Sequence, residues 1–417
     1  MGKFITEIQI NNSTMSVLSG KNVLLGISGG IAAYKTASLV RLFIKAGAHV
    51  QVIMTPASKD FVTPLTLSTL SKNPVYSSFY NDEEQEAEWN NHVDLGLWAD
   101  LMIIAPATAN TLSKMVNGNC DNLVIATYLS AKCPVYFAPA MDLDMYIHPS
   151  TVQNFKTLES FGNLIIPAET GDLASGLSGQ GRMAEPENII SFIEADLENK
   201  LPLKGKTILI TAGPTYEAID PVRFIGNHSS GKMGFDIANS AANLGASVIL
   251  VAGPTHLKVK NSAIKVINVV SSQEMYNACH QFYSTVDVAI AAAAVADYRP
   301  KTIATQKIKK AEENFVIELE KTQDILYSFG LQKKQQFLIG FALETENEID
   351  NAKAKIQKKN LDLIVLNSLQ DEGAGFRKET NKVTFIDKNF KIEPMLLKSK
   401  EAVADDIINK VIAYFNV

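Results

Sequence analysis

The sequence predicts an α/β protein with mostly parallel sheets, and three observations carry that prediction. From Lys21 onward, short continuous apolar runs alternate with helical patterns. Continuous runs, unlike alternating ones, mark strands covered on both faces. The alternation stops at Asn199-Lys-Leu-Pro-Leu-Lys-Gly205 and then begins again, which divides the chain in two. Finally, two strand-to-loop openings lie about two hundred residues apart and carry different side chains, so two sites are expected. In open parallel sheets, ligands bind beyond the carboxyl ends of the strands, where loops converge and helix N-termini offer free N–H groups.

In chain order, residues 1–14 read as a disordered extension, with Met15 a candidate start, and they lack the pattern of a secretory signal. Residues 15–198 form the first expected domain. Its strands are Val23 to Ile27, His49 to Met54, Leu101 to Ala105, Val135 to Ala138 and Leu164 to Pro167. Helical patterns follow at Ile31 to Ala46 and Thr111 to Val116. The stretch Thr170 to Arg182 holds too many glycines for a regular element and reads as a mobile loop or lid. A helix from about Pro186 to Glu198 closes the domain, and 199–205 is the expected linker.

Residues 206–417 form the second expected domain. Strands are expected at Thr207 to Thr211, Ser247 to Val251, Lys265 to Val270, Val286 to Ala293, Phe337 to Gly340 and Leu361 to Asn367. Lys382 to Asp387 reads as a late edge strand, and Glu401 to Phe415 as a closing amphipathic helix.

Composition excludes several classes. With 417 residues, 46% of them apolar and 20% charged, the chain is ordinary globular material with room for two cores. A formal net charge of −5 argues against general nucleic-acid binding, which needs a cationic footprint. Even Val286 to Ala296 falls short of the roughly 20 apolar residues that a bilayer span requires, and it contains Asp287. Cys120, Cys133 and Cys279 have neither disulfide nor zinc spacing, which suits a reducing cytoplasm.

The first opening, Gly26-Ile-Ser-Gly-Gly-Ile-Ala-Ala-Tyr-Lys35, offers N–H groups and the Ser28 hydroxyl to a phosphate or ring, although a tight βα turn serves equally if it stands alone. Thr55-Pro-Ala57, Ala105-Pro-Ala-Thr-Ala-Asn110 and Ala138-Pro-Ala-Met-Asp-Leu-Asp-Met145 fall where other strands should end. In the second half, Thr207-Ile-Leu-Ile-Thr-Ala-Gly-Pro-Thr215 leads to Gly226-Asn-His-Ser-Ser-Gly-Lys-Met-Gly234 at a helix start. That arrangement can surround an anion, but it is not a Walker loop. Lys355 and Lys359 lie four apart and share a helix face. Repulsion makes such a pair mildly unfavourable unless an anion lies between them, while a solvated face is the commoner explanation.

Taken with His92 in Asn91-His-Val-Asp-Leu95 and with Gly179-Gln-Gly-Arg-Met183, the first set of motifs resembles the flavin-containing cysteine decarboxylases. The continuation through Asp220-Pro-Val-Arg223, Ala293-Ala-Val-Ala-Asp-Tyr-Arg299 and Lys307-Ile-Lys-Lys310 resembles the CTP-dependent ligases to which such decarboxylases are fused in bacterial coenzyme A biosynthesis. The resemblance implies two Rossmann-like domains with mostly parallel sheets, the N-terminal one a flavodoxin-like flavoprotein domain. It also implies two reactions. 4′-Phosphopantothenate attacks the α-phosphate of CTP, and the amine of cysteine displaces CMP from the acyl-cytidylate. FMN then supplies the electron sink for decarboxylation, oxidising the thiol to a thioaldehyde and returning hydride to give 4′-phosphopantetheine.

For the first reaction the resemblance assigns Lys307 to acyl-cytidylate formation and Asn227 to holding that intermediate. It assigns Ala291, Ala292, Ala293, Asp297, Asp324, Phe341, Lys355 and Lys359 to CTP, with Asp297 also facing Mg2+ (or Mn2+). Gln323 replaces the family's usual proline. For the second reaction it assigns Ser28, Gly29 and Thr55 to FMN near its phosphate, and Thr108 and Asn110 to FMN near its ring. His92 is the implied base, and Met141, Asp142 and Arg182 face the substrate.

Two positions depart from the family pattern. Asp142 stands where asparagine usually meets the substrate carboxylate, so it must be protonated, reoriented or compensated by a cation. Ser175 stands where a cysteine usually donates a proton, and a hydroxyl is a much poorer acid than a thiol of pKa about 8.5. A bound water or another acid acting through Ser175 is the expected remedy. The resemblance further implies homo-oligomers, with a trimer-based flavin domain, a dimeric ligase domain and flavin sites at subunit contacts. The competing readings are a ligase carrying a degenerate, regulatory flavin-binding domain, and a nicotinamide-dependent reductase. The second is disfavoured because neither half has the full G-x-G-x-x-G pattern with a ribose-binding acid.

Overall fold

A computed structural model of the chain describes residues 16–80, 89–259, 261–309, 316–344, 346–368 and 379–416. The expected N-terminal extension and Lys310 lie outside the described residues. Chain contacts gather the described residues from Ser16 to Glu198 and those from Asn199 onward into two compact units.

The first unit is built on six parallel strands in the order Val75–Tyr76, His49–Met54, Asn22–Ile27, Leu101–Ala107, Val135–Pro139, Leu164–Ile165. Strand order reverses between Asn22–Ile27 and Leu101–Ala107, which opens a crevice at their carboxyl ends. Both faces of the sheet are covered. Leu39, Val40 and Phe43 of helix Thr36–Lys45 pack with Ile189, Ile190 and Ile193 on one side. Leu112, Leu123, Val124 and Leu158 pack on the other. This two-sided burial explains the uninterrupted apolar runs, since each fully buried Leu or Ile contributes about 1.5–3 kcal/mol.

The second unit is built on an eight-stranded sheet. Ile264–Asn268, Ser247–Ala252, Thr207–Ala212, Val288–Ala291, Phe337–Glu344 and Leu363–Ser368 run parallel, and Val383–Asp387 and Ile392–Pro394 follow antiparallel. Here the order reverses between Thr207–Ala212 and Val288–Ala291. The closing helix Lys400–Phe415 is capped by Ser399 Oγ, which accepts from Ala402 N–H at 3.2 Å. Its Val403, Ala404, Ile407 and Ile408 pack on Ile237, Ala238 and Ala241 of helix Lys232–Asn243.

Several elements differ from expectation. Val383–Asp387 is not an edge strand, because Ile392–Pro394 lies outside it. Ile31–Lys35 is a 3-10 turn that precedes helix Thr36–Lys45 rather than part of it. The glycine-rich stretch is not a loop but an antiparallel hairpin, Glu169–Asp172 with Ser178–Arg182. Its glycines answer to packing. A Cβ at Gly181 would meet Met141 O at 2.4 Å, and one at Gly179 would meet Leu143 Cδ1 at 2.8 Å. Within the segment 199–205, Leu203 is fully buried and its N–H donates to Leu244 O at 2.9 Å.

Candidate functional sites

At the crevice of the first sheet, Ser28 and Thr108 end adjacent strands and bind each other. Ser28 Oγ donates to Pro106 O at 2.6 Å and accepts from Thr108 N–H at 3.2 Å. Thr108 also caps helix Ala109–Asn117. Gly29 is required where this turn passes the next strand's loop, because a Cβ there would lie 2.9 Å from Ala57 Cβ. In that loop Thr55 Oγ1 is buried and, among the described residues, has no hydrogen-bond partner. A buried hydroxyl without a partner is costly, and a bound phosphate or ring oxygen would satisfy it. The donor set of Ser28, Gly29, Thr55 and Thr108 therefore fits FMN. Asn110 is exposed on the helix that Thr108 caps.

Beside this turn opens a cavity of about 550 Å³ that brings together Gly30, Thr108, Met141, Asp142, Ser175 and Arg182. Asp142 also caps helix Leu143–Ile147, its Oδ1 accepting from Leu143 N–H at 2.6 Å. Ser175 is exposed at the tip of the hairpin. None of the three cysteines lines the cavity. Cys279 lies in the second unit, and burial pushes its thiol up to about 12.

Lys35 was not singled out in the sequence, yet it lines this cavity while only 6% exposed. Its ammonium donates to Met183 O and Glu185 Oε1, both at 2.9 Å, and Arg182 also binds Glu185. The hydrogen bond from Lys35 holds the Glu185 carboxyl below the usual carboxylate range. A lysine on the buried phase of Ala32-Ala-Tyr-Lys35 was the available signal.

His92 does not line the cavity. It opens helix His92–Trp98, edge-on to Phe79 and Trp89, and among the described residues its buried Nδ1 has no hydrogen-bond partner. Next to it Val93, Leu97 and Trp98 are exposed.

In the second unit, a cavity of about 470 Å³ gathers Ala291, Ala293, Asp297, Asp324, Phe341, Lys355 and Lys359, with Thr211. Ala292 lines a neighbouring cavity instead. Asp324 caps helix Ile325–Gln332, and its Oδ2 lies 2.7 Å from Lys359 Nζ. Lys355 Nζ donates to Phe341 O at 2.8 Å, and burial, then Lys359, push its ammonium below the ordinary lysine range. Thr211 Oγ1 accepts from Ala293 N–H at 3.1 Å, tying two strand ends together. The described residues hold no cluster of three potential metal ligands. Mg2+ needs none, because it binds through one or two carboxylates plus substrate phosphates, and Asp297 in this cavity fits that role.

Asn227 and Lys307 line neither cavity. Asn227 Nδ2 donates to Ala294 O at 3.0 Å, beside both. Lys307 is exposed, but its neighbour is anchored. The buried Asp220 carboxylate accepts from Ile308 N–H at 3.2 Å, and Arg223 donates to Ile308 O at 3.0 Å. The hydrogen bond from Arg223 keeps Asp220 far below the usual carboxylate range.

Residues 11–198 match the Flavoprotein family model, and 203–415 match the DNA/pantothenate metabolism flavoprotein C-terminal domain. Coenzyme A biosynthesis bifunctional protein CoaBC of Bacillus subtilis (strain 168) is 44% identical over 399 residues, covering 95% of this chain and 98% of that protein. The chain belongs to the family of coenzyme A biosynthesis bifunctional proteins. It is also 53% identical over 356 residues to a cysteine/cysteine sulfinic acid decarboxylase of an unknown prokaryotic organism, covering 84% of this chain and 99% of that protein. A crystal structure of the C-terminal domain of a CoaBC protein shares 44% identity with a TM-score of 0.45, covering 52% of this chain and 99% of its own. Among the described residues, no helix is long and apolar enough to cross a membrane.

Proposed function

We propose that the chain performs two consecutive steps of coenzyme A biosynthesis. CTP-dependent ligation of cysteine to 4′-phosphopantothenate comes first, and FMN-dependent decarboxylation of the product to 4′-phosphopantetheine follows. The observation that carries the reading is the convergence of Ala291, Ala293, Asp297, Asp324, Phe341, Lys355 and Lys359 on one cavity at the strand-order reversal. There Lys355 and Lys359 offset the triphosphate charge, and Asp297 holds Mg2+ (or Mn2+) against it. Lys307 assists attack of the acceptor carboxylate, and Asn227 holds the acyl-cytidylate for the amine.

In the first unit, Ser28, Gly29 and Thr55 hold the FMN phosphate, while Thr108 and Asn110 face its ring. When bound, flavin supplies the electron sink that a plain carboxylate lacks. The side chains position and move protons. Met141, Asp142 and Arg182 orient the substrate, His92 exchanges a proton, and Ser175 relays one from water. Because His92 stands off the cavity amid the exposed Val93, Leu97 and Trp98, it reaches flavin in a neighbouring copy, which fits a trimer-based flavin unit. The ligase unit dimerises, and the enzyme works in the cytoplasm.

The test is to incubate purified protein with 4′-phosphopantothenate, cysteine and each nucleoside triphosphate, following pyrophosphate and carbon dioxide together. Pyrophosphate is expected with CTP, followed by carbon dioxide. Release of neither would overturn the reading, and pyrophosphate alone would leave a ligase with a regulatory flavin unit.

Asp142 favours a second reading of the flavin unit. A carboxylate at this cavity pairs with a free α-ammonium, which cysteine and cysteine sulfinic acid carry and an acylated cysteine lacks. A relative 53% identical to this chain is named for those substrates. Carbon dioxide release from 4′-phosphopantothenoylcysteine, cysteine and cysteine sulfinic acid, compared between the wild type and Asp142→Asn, separates the two. A wild type active only on the free amino acids would establish the second reading.

A further inference from the structure

The antiparallel hairpin Tyr216–Ala218 with Phe224–Gly226 closes on a turn, 219–223, that Asp220 holds from inside. The Asp220 carboxylate is fully buried. Its Oδ1 accepts from the N–H groups of Val222 and Arg223, both at 2.8 Å, which is all that a local turn of this kind requires. Oδ2 reaches further. It accepts from Arg223 Nε at 2.9 Å and from Arg223 Nη2, and it takes Ile308 N–H, 88 residues away in the chain, at 3.2 Å. Arg223 Nη2 also donates to Ile308 O at 3.0 Å, so both backbone groups of Ile308 are held. Ala304 N–H donates to Ile219 O at 3.0 Å and ties the same strap to the turn four residues earlier.

The held N–H of Ile308 belongs to the peptide bond that follows Lys307, so the Lys307 backbone is fixed while its side chain stays exposed. At its other end the hairpin runs directly into Asn227, whose Nδ2 donates to Ala294 O at 3.0 Å and to Val295 O at 3.3 Å. One hairpin therefore carries Asn227 by chain continuity and Lys307 through Asp220. No residue from 216 to 226 lines either of the two cavities that share Phe341, so the hairpin acts through other side chains. Burying a carboxylate is unfavourable unless it is paired and hydrogen-bonded, and a turn alone would be served as well by Asn or Ser.

We propose that Asp220 is a positioning residue for ligation. Through its latch on Ile308 it presents the Lys307 ammonium for acyl-cytidylate formation, in fixed register with Asn227, which acts on the intermediate next. The proposal rests on the ligase reading and deepens it. A lysine on an unanchored strap samples many directions, and misplacing a catalytic group by about 1 Å costs on the order of 10²-fold in rate.

The test uses the full-length, flavin-loaded protein. Asp220→Asn keeps an acceptor for the turn and puts an amide NH2 where Oδ2 meets Ile308 N–H. Arg223→Met loosens the latch from its outer side, where the arginine is 44% exposed. Both are made alone and in a Lys307→Gln background. Single-turnover pyrophosphate release without cysteine isolates the first half-reaction, and steady-state release at varied CTP separates kcat from KM. Asp220→Asn is expected to slow the first half-reaction about tenfold or more with KM for CTP within about twofold, and to cost nothing further once Lys307 is Gln. Trypsin should cleave after Lys307 faster in both latch variants than in the wild type, because the N–H of the scissile bond is no longer held. Losses that add in the double variants, or a wild-type rate and wild-type cleavage in Asp220→Asn, would overturn the proposal. If Asp220→Asn does not fold, Arg223→Met decides by the same two readings. A wild type that releases no pyrophosphate with CTP would instead sink the ligase reading.

Discussion

Lys355→Met separates what a buried cation does for the fold from what it does for a ligand. The methionine keeps the apolar stem and removes the ammonium. In the free protein, Lys355 gives up one hydrogen bond, to Phe341 O at 2.8 Å, worth about 0.5–1.5 kcal/mol net. Removing the charge also relieves its desolvation and its repulsion by Lys359, the two leading causes of its lowered pKa. The two effects oppose, so the stability of the second unit should change by less than about 1 kcal/mol. Binding of the triphosphate has no such compensation. Loss of a charge-assisted hydrogen bond costs about 1.5–3 kcal/mol, which is about 10- to 150-fold in the KM for CTP. The pH dependence has a definite sign. A lysine whose folded pKa is depressed binds fewer protons than the unfolded chain in the window between that pKa and 10.5, so wild-type stability rises with pH there relative to Lys355→Met. Steady-state pyrophosphate release at varied CTP, together with urea unfolding at neutral and alkaline pH, measures both. An unchanged KM for CTP, or a stability loss of several kcal/mol without a KM effect, would refute the reasoning.

Other predictions concern single atoms. His92→Asn should retain bound flavin, seen by its absorbance, while carbon dioxide release falls about 10²- to 10⁴-fold. Full activity in that variant would remove His92 from the mechanism. Thr55→Val removes the buried unpartnered Oγ1, so flavin affinity should fall about tenfold on loss of roughly 1–1.5 kcal/mol while the flavin-free protein is no less stable. Fluorescence titration with FMN reads it, and unchanged affinity would place the phosphate elsewhere. Gly234→Ala would put a Cβ 2.5 Å from Ala212 Cβ, between a helix and a buried strand that cannot give way. The ligase unit should lose about 1–3 kcal/mol, measured by urea unfolding, with flavin binding untouched.

Both sheets were legible because burial on two faces leaves uninterrupted apolar runs. Thr207 to Thr211 and Leu101 to Ala105 were recognisable without tertiary information. The lining of the second unit's cavity was legible through its polar spacing and its resemblance to a family, so residues as far apart as Ala291 and Lys359 were named together before the fold placed them on one cavity. Glycine misled where its reason was a neighbour. In Gly179-Gln-Gly181 the missing side chains accommodate Met141 and Leu143, which no local rule reveals, so the sequence by itself points to a loop or lid.

What the sequence determined by itself was the alternation of strand and helix, the break at 199–205 and the residue types at each strand end, because these depend on hydrophobic period and local turn chemistry. Tertiary structure alone decided which charges are answered. Lys232 and Lys400 each stand first in a helix, yet folding surrounds one with carboxylates and buries the other without a partner among the described residues. The electrostatic role of an ammonium is set by its burial and by what stands within a few ångströms, and chain order does not encode those distances locally.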